Sequence, residues 1–170
     1  MASNRAVWVG NMYGCTKPFI MLGKFETGQA IKRGEILELT ADSSSSWVPL
    51  DSNFAMSADI AVANEEVFSG DRMGFYEIMV PRPGDVFEFD IATAAATALG
   101  TALYYSSSEQ VTASASGTVL GYAAGQEHYP LKQGHLTDDA GPDRGESLRT
   151  SSKVRMTFKE SGSYWATFGK

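Results

Sequence analysis

Residues 82–123, RPGDVFEFDIATAAATALGTALYYSSSEQVTASASGTVLGYA, decide the fold class of this chain. Four short apolar or alternating runs, Val86–Ile91, Thr101–Tyr105, Val111–Ala115 and Val119–Ala123, are punctuated by Pro-Gly-Asp, Leu-Gly, a triple serine and Ser-Gly. Turn residues between runs of strand length specify a compact antiparallel β-domain. Alternation in the first run directs Phe87, Phe89 and Ile91 inward, with Glu88 and Asp90 outward. The expected fold is all-β, a compact antiparallel β-barrel-like domain with extended N- and C-terminal segments. Ala92–Leu99 (ATAAATAL) is the one helix-prone piece. It is expected as a short helix or small-residue crossover covering the end of the barrel.

The pattern extends in both directions. Upstream, Glu35–Thr40 follows an Arg-Gly turn, and Ala58–Ala63 is a short strand candidate. Trp47–Leu50 is broken by Pro49 and therefore belongs at a sheet edge. Gly74–Val80 puts Tyr76, Ile78 and Val80 on one face and Phe75, Glu77 and Met79 on the other. Downstream, residues 132–152 form a long polar loop with three glycines and a proline. Lys153–Lys159 then alternates, with Val154, Met156 and Phe158 inward and Lys153, Arg155 and Lys159 outward. The chain accordingly divides into residues 1–30, an extended N-terminal arm or the first strands; residues 31–160, the β-domain; and residues 161–170, an aromatic tail.

At 170 residues and 43% hydrophobic composition, one domain with a substantial core is expected. The single Cys15 excludes an internal disulfide framework and a cysteine zinc site. A net charge of −6 argues against general nucleic-acid binding, which demands a cationic surface. No apolar stretch is long enough for a membrane-spanning helix. MASNRAVWVGNMYGC lacks the apolar core of a signal peptide, so the chain is expected to stay in the compartment where it is made. Charge is unevenly spread: residues 1–34 hold five Lys/Arg against one Glu, and residues 35–90 hold two against twelve acids. Residues 149–170 return to five against one. Basic ends on an acidic body suit docking of both termini on an acidic neighbour.

Reactive constellations do not emerge. His128 and His135 have no Cys/His cluster or HExxH spacing around them. Asp138, Asp139 and Asp143 lack the ligand spacing of an EF-hand loop. Glu88 and Asp90 share one side of one strand, the pattern of a solvated face rather than of two carboxylates flanking a sugar. The serines have no nucleophile elbow. No catalytic, cofactor-binding or metal-ligating residue is nominated, and the chain is expected to be non-enzymatic and to act through its surface. Candidate interface residues are Trp8, Met12, Tyr13, Phe19, Ile20 and Met21 near the N-terminus. The basic face adds Lys153, Arg155 and Lys159, and the tail adds Tyr164, Trp165 and Phe168.

From Gly28 to Ala124, the order of these elements resembles that of small capsid-decorating (cement) proteins of tailed bacteriophages. The residues that carry the resemblance are Arg33-Gly34-Glu35-Ile36-Leu37, Pro83-Gly84-Asp85-Val86-Phe87-Glu88-Phe89, Leu99–Tyr105 and Gly117–Ala123. It covers rather more than half of the chain. ATAAATAL, residues 132–152 and the aromatic tail lie outside it. The resemblance implies a β-barrel or β-tulip domain on the outer capsid surface of the virion, made in the host cytoplasm. It also implies the major capsid protein and further copies of the chain, as a homotrimer, for partners, with neither nucleic acid nor membrane. A competing expectation is a carbohydrate- or receptor-binding β-module of a head fibre or tail, for which Trp47, Tyr104, Tyr105 and Tyr122 are the available aromatics.

Overall fold

The computed structural model describes residues 7–40, 45–54, 59–70, 74–125 and 151–159. In chain order their strands are β1 (Val7–Asn11), β2 (Ile20–Phe25), β3 (Ile36–Leu39), β4 (Trp47–Pro49), β5 (Ile60–Ala63) and β6 (Gly74–Met79). There follow β7 (Asp85–Ala95), β8 (Ala102–Ser107), β9 (Gln110–Thr112), β10 (Val119–Gly125) and β11 (Ser151–Phe158). Two sheets result. The first runs β1-β7-β11-β10-β8-β9, and β9 returns to pair with β7. That last pairing closes β7, β11, β10, β8 and β9 into a five-stranded barrel.

The alternation of β7 explains why the barrel fills. Phe87, Phe89 and Ile91 point inward and are at most 5% exposed, as are Leu103, Val111, Leu120, Val154 and Met156 from the facing strands. The Phe158 ring meets those of Phe87 and Phe89 edge-on, with centroids 5.5 and 5.7 Å apart, the preferred aromatic geometry. Burying each such side chain contributes about 1.5–3 kcal/mol.

The second sheet, β2-β6-β5-β3-β4, is buried on both faces along its middle strands. Neighbouring Ile36 and Leu37 point to opposite sides, yet both are fully buried. Ile36, Val62 and Met79 join the barrel core, together with Leu50 and Phe54 from the segment after β4. Leu37, Ala61, Ala63 and Ile78 join a second core with Phe25, Ile31, Trp47, Val67 and Val80. This sheet also curls. Gly23 on β2 approaches the Trp47 ring of β4 so closely that a Cβ there would lie 2.6 Å from Cδ1. Pro49 occupies β4, an edge strand, where its missing N–H costs no ladder bond.

Several expectations are corrected. Among the described residues there is no helix. Residues 92–95 of ATAAATAL continue β7, and Ala95 pairs with Ser151 of β11. Eight residues cannot recover the cost of helix nucleation, so pairing with a neighbouring strand overrides alanine's helical preference. The sheet is not wholly antiparallel, since β7 and β9 run parallel at Asp90↔Gln110 and Ile91↔Val111. The run at 111–115 yields only the short β9, because the Ser114 N–H turns to the Thr112 hydroxyl, 3.1 Å away. β11 begins at Ser151, inside the expected polar loop. The rest of that loop and residues 161–170 lie outside the described residues. Residues 7–11 and 20–25 form β1 and β2.

At Gly121, β10 leaves no room for a side chain against β11. A Cβ there would press on the Thr157 carbonyl oxygen and lie 2.8 Å from Met156 Sδ. Gly121→Ala is therefore expected to lower stability by about 1–3 kcal/mol, the usual cost of overpacking. Urea unfolding would measure it, and an unchanged midpoint would contradict this packing.

Candidate interaction surface

Asp85 opens β7 and is only 1% exposed. A buried carboxylate needs compensating donors, and the chain supplies five. The Arg82 backbone N–H (2.8 Å) and Arg82 Nε (3.1 Å) donate to Oδ2. Arg82 Nη2 (3.2 Å), Asn11 Nδ2 (2.8 Å) and Trp8 Nε1 (3.1 Å) donate to Oδ1. The hydrogen bond to Asp85 raises the Arg82 pKa above its ordinary value. Trp8, expected at an interface, is instead partly buried against the barrel core and committed to this knot.

The knot fixes the β1–β2 connection, residues 12–19. The Met12 N–H donates to the Gly84 carbonyl at 2.8 Å, and the Tyr13 N–H to Asn11 Oδ1 at 2.8 Å. Further along, Arg82 Nη2 donates to the Lys17 carbonyl at 2.6 Å, and the Val80 N–H to the Phe19 carbonyl at 2.9 Å. Gly84 has φ +81°, and the Tyr13 ring occupies the space where a Cβ would stand, 2.5 Å from it. Only glycine satisfies both conditions.

Held this way, the segment presents Met12 (64% exposed), Tyr13 (77%), Phe19 and Ile20 to solvent. Further exposed apolar side chains lie on β2 and β6. Leu22 stands opposite Glu77, and Lys24 opposite Phe75. Leu22 and Phe75 are thus diagonal neighbours on the outward face, and both are at least 60% exposed. Sequence reasoning missed these two, although the alternation of β6 already set Phe75 apart from Tyr76 and Ile78. Met21 points the other way, against the second core.

The basic face of β11 has ion-pair partners within the chain. Arg155 Nε lies 3.5 Å from Glu88 Oε2, and Lys153 Nζ lies 3.8 Å from Glu88 Oε1. The Arg155 and Glu88 side chains are only 13% and 16% exposed. Both cations already face β7 of their own chain, because the register sets Arg155 against Glu88 and Lys153 against Asp90. Lys159 is half-buried at the end of β11, where its N–H donates to the Leu120 carbonyl. Tyr164, Trp165 and Phe168 lie outside the described residues, as do His128, His135, Asp138, Asp139 and Asp143. Of the aromatics proposed for a glycan site, Tyr104 and Tyr122 lie on neighbouring strands β8 and β10, but Trp47 and Tyr105 are not available beside them. Trp47 is 3% exposed inside the second core, Tyr105 packs on the barrel core, and Tyr122 is exposed on β10.

Acidic groups gather where the second sheet meets the barrel. Glu35 accepts from the Lys32 N–H at 2.8 Å and from Ser108 Oγ at 2.5 Å. Nearby, Glu38 has its pKa raised by burial and then by the Asp51 carboxylate, against the opposing effect of the Asp51 N–H. Burial also raises the Tyr105 phenol, assisted by Asp51, Glu35 and Glu38. Among the described residues, no group of three or more His, Cys, Asp or Glu is placed to hold a metal ion.

Comparison of the chain with protein-family models, curated proteins and solved structures returns no match.

The acidic junction generates a pH prediction. A carboxyl with a raised folded-state pKa binds its proton more tightly folded than unfolded. Its stabilising contribution is complete below the ordinary glutamate pKa and is lost as pH rises through the raised value. Glu38→Gln should therefore raise the neutral-pH melting temperature, with the gain shrinking to nothing on acidification below pH ~4. Thermal melts of both proteins across that range would check the direction.

Proposed function

We propose that this chain is a non-enzymatic structural protein of the virion, which attaches to the outer capsid surface of a tailed bacteriophage and stabilises the shell by bridging capsomers. The observation that carries the reading is the set of exposed apolar side chains, Met12, Tyr13, Phe19, Ile20, Leu22 and Phe75, on the β1–β2 connection and on strands β2 and β6. Large apolar side chains left exposed together mark interaction sites. The residues that resemble cement proteins support it further. Arg33–Leu37 leads into β3, Pro83–Phe89 opens β7, Leu99–Tyr105 leads into β8, and Gly117–Ala123 leads into β10. A β-tulip relationship of the barrel belongs to the same reading.

In this role the major capsid protein is the principal partner, and copies of the chain associate as a homotrimer on the lattice. A subunit that binds the assembled shell but not its dissociated parts stabilises the shell by mass action. The acidic body and the basic, apolar N-terminal segment give each subunit a preferred orientation on its support.

Leu22→Ser combined with Phe75→Ser should leave unfolding nearly unchanged, since both side chains are exposed, while weakening binding to phage heads prepared without the protein by at least ~10-fold. Co-sedimentation and heat resistance of the heads would measure the two consequences. Failure of the unaltered protein to bind such heads would overturn the reading.

A further inference from the structure

We propose that Asp85 and Arg82 are positioning residues for a preformed docking loop, residues 12–19, whose Tyr13 anchors the protein in an apolar pocket of an acidic capsid surface. The inference rests on the capsid-attachment reading above and adds to it the anchor, the residues that hold it and the chemistry of its receptor.

The loop is clasped at both ends by one guanidinium. Arg82 Nη2 donates to Asp85 Oδ1, which also accepts from Asn11 and Trp8 just before the loop. The same nitrogen donates to the Lys17 carbonyl near the loop's far end. Between these points, the Met12 N–H to the Gly84 carbonyl and the Tyr13 N–H to Asn11 Oδ1 fix the backbone. Tyr13 cannot fold inward, because the Gly84 backbone lies directly beneath its ring. A large side chain that is 77% exposed and yet seated on a rigid base loses little conformational freedom on binding. Tyrosine is also among the residue types that dominate interface energetics.

Charge selects the partner. Residues 1–25 contain no acidic residue, and Lys17 stands exposed within the loop, whereas residues 35–90 carry twelve acids against two basic residues. A receptor pocket with an acidic rim attracts the loop and repels the body, so only the loop-down approach is productive.

Association and dissociation kinetics of the full-length protein on heads prepared without it test the proposal. Tyr13→Ala should speed dissociation at least ~10-fold with little change in association. Lys17→Glu should slow association at low salt and reduce its salt dependence. Arg82→Ala should raise hydrogen exchange at Met12–Gly14 and speed dissociation. Added to Tyr13→Ala, it should bring little further loss, because it acts through the anchor. Arg82→Lys, which keeps a cation beside Asp85 but not the guanidinium fork that also reaches the Lys17 carbonyl, should speed dissociation in the same direction and keeps the test open if Arg82→Ala unfolds. If the unaltered protein fails to bind heads, the attachment reading itself falls. If it binds and Tyr13→Ala binds equally well, the anchor is overturned while attachment stands. Additive losses from Arg82→Ala and Tyr13→Ala would overturn the positioning role, and an association rate indifferent to Lys17→Glu would overturn the acidic receptor. A Tyr13→Ala effect confined to self-association in light scattering would overturn the capsid as the loop's partner.

Discussion

A β-strand has two hydrogen-bonding edges, and β7 divides them among three partners. One edge pairs with β11 from Phe87 to Ala95. The other is split, with β1 on residues 85–88 and β9 on residues 90–91. The second half of that edge closes the barrel, and the first half ties the N-terminal strand to it. The inward residues of β7 are central to the larger core, while outward Glu88 meets the cations of β11. A one-residue slip of this strand would exchange its faces, placing phenylalanines in water and carboxylates in the core. Barrel closure, core and N-terminal attachment therefore share one register.

The second sheet multiplies that constraint. Its middle strands bury side chains on both faces, so each of them belongs at once to the barrel core and to the second core. Glu35 and Ser108 add a polar tie at the same junction, and the Ile36 N–H donates to the Ser108 carbonyl at 2.7 Å. A scaffold joined through shared cores and satisfied polar ties has little freedom for its parts to move independently. Exposed apolar side chains fixed to such a body stay at its surface, as the proposed attachment role requires.

Much of this architecture was legible from local pattern. The alternation in residues 86–91 and 153–158 placed Phe87, Phe89, Ile91, Val154 and Met156 inside, where they are buried. The Pro-Gly-Asp turn pointed to the start of β7. The N-terminal segment was ambiguous because its glycines interrupt any period, and both an arm and a pair of strands fit it. The helix expected in residues 92–99 was an inference from alanine content that pairing with β11 overrode. The candidate surface was half visible. Met12, Tyr13, Phe19 and Ile20 could be named as apolar load, but Trp8 and Met21 could not be told apart from them.

The amino-acid sequence by itself determined most strands of the body, their inward faces and many of the turns that end them, because periodicity and turn chemistry act over a few neighbouring residues. Tertiary structure alone decided which edges meet, that β9 runs parallel to β7, and that Asp85 reaches Trp8 across 77 residues of chain. It also decided that Arg155 is paired with Glu88, 67 residues away, while Leu22 and Phe75 are left facing water. Pairing and exposure depend on which distant segments share an edge, and no local pattern carries that information.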